Sequence, residues 1–224
     1  MVESIKIILT IFKKDLYSEL RTRYALNALL MFVITTLSII LFSIGNESVS
    51  PELLSGVLWI IIFFSTMSGL SRTFVSEEER GTVMTLHLIA KPLKIYFGKL
   101  LFNLALLLGL NIFTVALYLL FVTSFSVGNY AIFITTIILG TLGLASGSTI
   151  IAAIIAKANT KGTLYPVLSF PILLPLLLTV INATKLSVEN ALFAEALGEF
   201  QILFSYLIVL TVISFLLFEF IWKE

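Results

Sequence analysis

The sequence predicts an all-α integral membrane protein. Six transmembrane helices are preceded by an amphipathic helix, and a further short helix lies in the loop between the second and third spans. Three observations carry this. Hydrophobic residues make up 59% of the 224 and charged residues 12%, with a mean hydropathy of +1.10, far from the soluble average. The apolar residues fall into runs long enough for helices to cross a bilayer core about 30 Å thick, which takes roughly 20 residues. Alternating ten-residue patterns of the outer-membrane barrel kind are absent.

The six runs are Tyr24–Ile44, Leu53–Leu70, Leu100–Val122, Tyr130–Ile155, Leu164–Ile181 and Ile202–Trp222. Every Lys and Arg except Lys185 lies before the first run, after the last, or in the second or fourth loop. By the positive-inside rule both termini are expected in the cytoplasm, in a multi-pass arrangement of the inner membrane. The outward loops carry Glu47, Glu52, Glu189, Glu195 and Glu199 instead. The first run is too long for a signal-peptide core and is expected to stay as a span. No basic patch points to nucleic acid, and the lipid bilayer is the evident surroundings. With no cysteine, disulfides, thiolate metal sites and cysteine nucleophiles are excluded.

Ahead of the first span, within residues 1–23, Ile5, Ile8, Leu9, Phe12, Leu16 and Leu20 recur at helical spacing while Lys6, Lys13, Lys14, Asp15 and Glu19 fall elsewhere. This is the pattern of a helix lying on the cytoplasmic membrane face. The cytoplasmic loop, residues 71–99, holds three consecutive glutamates, a Gly-Thr pair and a leucine-bearing turn closed by Lys91-Pro92. A short charged helix tied stiffly to two spans makes a suitable handle for a soluble partner.

In the third span Asn103 and Asn111 are eight residues apart and share one face. They suit interhelical hydrogen bonds or contact with a polar substrate group. The fourth span has a small-residue patch with Gly143 and Gly147 in G-x-x-x-G spacing. It suits close packing inside the chain, a subunit contact or a pathway wall. In the fifth, Pro166, Pro171 and Pro175 each remove a backbone donor, so a kinked or broken helix is expected, either as a packing feature or as a moving, pathway-lining element. Ser187–Phe200, within an outward-face element at 182–201, is expected to form a short amphipathic helix.

Catalytic chemistry is not indicated. His87 is the sole histidine and has no second donor nearby, leaving a haem or metal ligand or an ordinary interfacial side chain. No P-loop occurs, because Gly98-Lys99 is followed by Leu100 and Leu93 stands where the first glycine would be. The chain is therefore not expected to be an enzyme, and any active transport draws on a partner.

The pattern E-x-E-x-G-T, here Glu77, Glu79, Gly81 and Thr82, then Pro92 and Gly98-Lys99, resembles the cytoplasmic loop of type-2 ABC exporter membrane subunits. The proline set Pro166, Pro171 and Pro175, together with FKKDLYSELRTR at Phe12–Arg23, is similar to the CcmB family, the haem exporter membrane subunit of cytochrome c maturation. The resemblance implies a single permease domain over residues 1–224, with the loop as an ATPase-coupling region containing a cytoplasmic coupling helix. It implies a separate P-loop ABC ATPase in two copies (CcmA-like), docked on a homodimer of this chain. It further implies haem-handling membrane partners (CcmC- and CcmD-like) and, indirectly, a periplasmic haem chaperone. No cofactor is assigned to this chain; haem enters as a transported or shared ligand of the complex. A type-2 exporter for a lipid, drug or glycan, and a non-transporting scaffold of a maturation complex, share most of these features.

Overall fold

The computed structural model describes residues 2–45, 49–157 and 164–223, so Glu47 and Lys161 lie outside the described residues. Among these, all regular structure is helical: α1 Val2–Thr22, α2 Tyr24–Ile44, α3 Pro51–Leu70, α4 Val75–Glu79, α5 Val83–Ile89, α6 Pro92–Phe121, α7 Tyr130–Ala156, α8 Leu164–Val188 and α9 Leu197–Lys223. Six of them, α2, α3, α6, α7, α8 and α9, are long and apolar enough to cross a membrane, and the chain is a multi-pass membrane protein.

Local chemistry explains the boundaries. Arg23 takes a left-handed φ of 52° between α1 and α2, and the Glu19 carboxylate accepts the Leu26 N–H at 3.0 Å, capping the new helix. Ser50 caps α3 by accepting from Leu53, with Pro51 at the first helical position where its missing N–H does no harm. Pro92 starts α6 in the same way. Asn129 caps α7 through Ala131 and Ile132.

The packing centre is α7, which touches α3, α4, α6, α8 and α9. Its glycines allow this. A Cβ built on Gly140 would sit 2.3 Å from the Trp59 ring, one on Gly143 would be 2.4 Å from Leu176, and one on Gly147 would be 2.6 Å from Leu173. Without a hydrophobic drive between helices in lipid, such close approach supplies the dispersion contacts that hold the bundle. Directed polar contacts add to it: Trp59 donates to Thr184 at 2.8 Å and Tyr118 to the Leu54 carbonyl at 2.7 Å.

Of the two forms expected for the fifth span, kinked or broken, the break does not occur, and Ser187–Phe200 differs from its expectation. The helical assignment of α8 runs unbroken through Pro171 and Pro175, its buried side, Leu173, Leu176 and Val180, clamped on α7. Ser187–Phe200 is not a separate helix: it comprises the end of α8, an irregular stretch over 189–196 and the first turn of α9. The physical reason is a left-handed residue, Asn190 at φ 57°. With it the Ala191 N–H closes back on the Leu186 carbonyl, the geometry that ends a helix. The Ser187 carbonyl is also taken by the N–H groups of Gly128 and Asn129, tying this corner to the start of α7.

Candidate functional site

Between α3 and α6 the chain doubles back on Glu77. Gly81 at φ 66° supplies a left-handed turn that a side chain would disfavour. That turn lets the Thr82 N–H reach the Glu77 carbonyl at 3.0 Å, while the Thr82 hydroxyl donates to Glu77 Oε2. The Gly-Thr pair thus closes a loop around one carboxylate.

The other oxygen of that carboxylate accepts from two lysines on different helices. Lys14 of α1 lies 2.5 Å from Glu77 Oε1 and Lys99 of α6 lies 2.7 Å from it. Asp15 completes the group at 3.2 Å from Lys14 and 3.1 Å from Lys99; the Lys99 contact is an ion pair without an aligned hydrogen bond. Glu77 is 6% exposed and Lys99 2%, so both charges are withdrawn from water. Two cations face two anions at charge-assisted distances, which is the condition under which buried ions are tolerated. Burial pulls the Lys14 ammonium down, and the Asp15 and Glu77 carboxylates outweigh it, leaving its pKa above the ordinary lysine value. The Lys99 ammonium also sits 5.8 Å above the Phe74 ring.

Gly98 positions this lysine. A Cβ there would be 2.7 Å from Ile11 Cβ and 3.1 Å from the Ile8 carbonyl, so α1 lies directly on the α6 backbone. Next to it is an aromatic group joining the loop to the last helix. Phe74 meets Trp222 at 5.4 Å, Tyr96 meets Phe218 at 4.9 Å, and His87 stacks on Trp222 at 5.4 Å and 19°. Lys157 reaches both the Trp222 ring, at 5.7 Å, and Glu78, at 3.4 Å.

The remaining sequence-predicted residues separate from this centre. Of the loop acids, Glu77 is turned inward by a short helix, whereas Glu79 is half exposed and paired with Arg72 at 2.8 Å. Asn103 donates to Thr149 of α7 at 2.8 Å and accepts from Thr73 at 3.1 Å. Asn111 donates to Thr141 at 2.8 Å, with its Oδ1 buried and unpartnered. Pro166, Pro171 and Pro175 lie on the exposed side of α8. Among the described residues no His, Asp and Glu group is placed to hold a metal ion. Lys14 and Asp15, central to the site, are not among the sequence-predicted site residues, although they lie inside the stretch FKKDLYSELRTR that carries the family resemblance.

A second surface of the loop points away from the bundle. On α5, Met84 and Leu88 are one turn apart and 73% and 85% exposed, with Ile89 beside them. A shallow groove next to them is lined by His87, Leu88, Ala90, Lys91, Pro92 and Lys94. The loop therefore has an inner, charge-locked side and an outer, apolar one.

No curated protein matches the chain. A family model for the CcmB protein matches residues 6–220, almost its full length. With six membrane-competent helices, and with the loop and proline features embedded in that match, the chain belongs to the CcmB family, the haem exporter membrane subunits of ABC-type systems.

Proposed function

We propose that this chain is the permease subunit of an ABC complex that delivers or exports haem during c-type cytochrome biogenesis, driven by a separate P-loop ATPase. The outer side of α5 is the docking surface. The observation that supports this is the exposed pair Met84 and Leu88, apolar side chains in a loop otherwise rich in charge, with cationic Lys91 and Lys94 at the rim. An apolar centre inside a charged rim is the composition of a protein interface. Exposed Glu79 and Arg80 contribute orientation and recognition more than affinity.

In this reading both termini and the loop are cytoplasmic, in the inner membrane. Two copies of the chain carry two ATPase subunits, since each copy has one such loop. CcmC- and CcmD-like partners receive or supply haem on the way to a periplasmic chaperone. Glu77, Gly81, Thr82, Pro92, Gly98 and Lys99 hold the docking helix in place and do not touch the ATPase.

The test is complementation of a strain lacking this gene, scored by a stain for covalently attached c-type haem and by co-purification of the ATPase. Wild-type chain restores the stain and captures the ATPase. Leu88→Asp reaches the membrane at normal level yet captures at least about tenfold less ATPase, because a charge is buried at the interface centre. Normal c-type haem in the deletion strain overturns the haem assignment, and undiminished capture by Leu88→Asp overturns α5 as the docking surface.

A further inference from the structure

We infer that Lys14, Asp15, Glu77 and Lys99 form a charge lock that makes α1, the α4–α5 loop and the first turns of α6 a single rigid body. The helix ahead of the first span is then part of the moving machinery and not a passive membrane anchor. Only the functional consequence of this inference rests on the docking proposal above; the lock itself is a property of this chain.

Three segments distant in sequence meet on one carboxylate. Glu77 Oε1 is shared by Lys14 and Lys99 at 2.5 and 2.7 Å, and Oε2 is held by Thr82. The Lys99 and Glu77 side chains are 2% and 7% exposed, so parting the loop from α6 strands charge shut off from water, a much larger penalty than losing an exposed pair. Lys14, 44% exposed, ties α1 to that centre from its more open side. Gly98 makes the same joint sterically close, with Ile8 and Ile11 of α1 seated on the α6 backbone. Packed joints of this kind rotate as units and do not deform gradually. The lock also has an outlet. One turn beyond Lys99, Asn103 binds Thr149 of α7 at 2.8 Å and accepts from Thr73 just past α3 at 3.1 Å. A displacement of the loop therefore reaches the bundle centre through two adjacent turns of α6 and carries α1 with it. Lys14, Asp15, Glu77 and Lys99 are positioning residues in this scheme.

Charge arithmetic designs the test. Lys99→Met alone leaves two carboxylates against one ammonium, and Glu77→Gln alone leaves the reverse. The double variant Glu77→Gln/Lys99→Met removes one charge of each sign and leaves Lys14 with Asp15, so the fold survives without the lock. Amide hydrogen exchange is measured on the full chain in lipid nanodiscs. The double variant is expected to exchange about tenfold faster than wild type over residues 8–16 of α1, with α7 unchanged, as local opening without global unfolding requires. Unchanged α1 exchange would overturn the lock. Equal acceleration in α1 and α7 would overturn it too, since the charges would then serve general stability. The readout needs no ATPase, so it stands apart from the docking test, in which Leu88→Asp leaves α1 exchange at the wild-type rate.

Discussion

Two glycines on the same helix predict opposite outcomes for the same substitution. A Cβ added at Gly98 would fall 2.7 Å from Ile11 Cβ and 3.1 Å from the Ile8 carbonyl, against ordinary contacts of about 3.5–4.0 Å. Neither obstacle is the end of a flexible side chain, so α1 must retreat by about 1 Å, stretching the Lys14 and Lys99 contacts with Glu77. Overpacking of this kind costs about 1–3 kcal/mol, while replacing glycine by alanine in a helix interior contributes about 1 kcal/mol the other way. Gly98→Ala is therefore expected to be destabilised by up to about 2 kcal/mol. Gly109, three turns on, has open space where its Cβ would go, so Gly109→Ala keeps only the propensity gain. Heating the purified variants in one detergent, followed by the fluorescence of the two tryptophans, ranks them directly. Trp222 is useful because it is buried beside the loop. A Gly98→Ala variant as stable as Gly109→Ala would refute the close seating of α1 on α6.

The intramembrane polar residues and the prolines give two further tests. Asn103→Leu removes two hydrogen-bond partners, Thr149 on α7 and Thr73 in the turn after α3, and is expected to lower stability by about 1 kcal/mol. Asn111→Leu loses one partner and an unsatisfied oxygen, and is expected to cost less; the same thermal assay decides. A large loss of haem delivery by Asn111→Leu with stability intact would place that residue on a substrate path instead. Pro171→Ala with Pro175→Ala restores the backbone donors for the Val167 and Pro171 carbonyls. Because both prolines are exposed and α8 is already continuous, thermal stability is expected to rise. Haem-stain yield is expected to fall if the softened helix must move, and an unchanged yield would reduce the prolines to packing features.

The six spans were legible because hydrophobic length is a property of contiguous residues, and the limits of α2 coincide with the run Tyr24–Ile44. The short loop helix was legible for a similar reason, as Lys91-Pro92 closes it and α5 ends at Ile89. What contiguous pattern cannot give is rotational phase in a five-residue helix. Glu77, Glu78 and Glu79 look alike in sequence, yet they are respectively locked inside, paired with Lys157 and paired with Arg72. The phase is decided by Lys14 and Lys99, whose relation to Glu77 depends on how α1 folds back over α6. The same limit applies to the prolines: the local rule of a missing donor does not say whether the helix is interrupted, and α8 continues through Pro171 and Pro175 beside Gly143 and Gly147 of α7, which admit Leu176 and Leu173.

This changes what the loop motif means. E-x-E-x-G-T at Glu77–Thr82, Gly98-Lys99 and Lys14-Asp15 are better understood as one feature distributed over three segments, because the buried charges of Glu77 and Lys99 find their counter-charges in one another and in Lys14 and Asp15. Gly81 and Thr82 aim the carboxylate, Gly98 brings α1 within reach, and Lys14 and Lys99 supply the counter-charge. An isolated acidic motif on a loop would be free to recognise any basic partner. With its first carboxylate committed inward, the residues left outside are Met84 and Leu88 with Glu79 and Arg80; under the proposed docking these carry recognition, and the charges read first from the sequence are the structure that presents them.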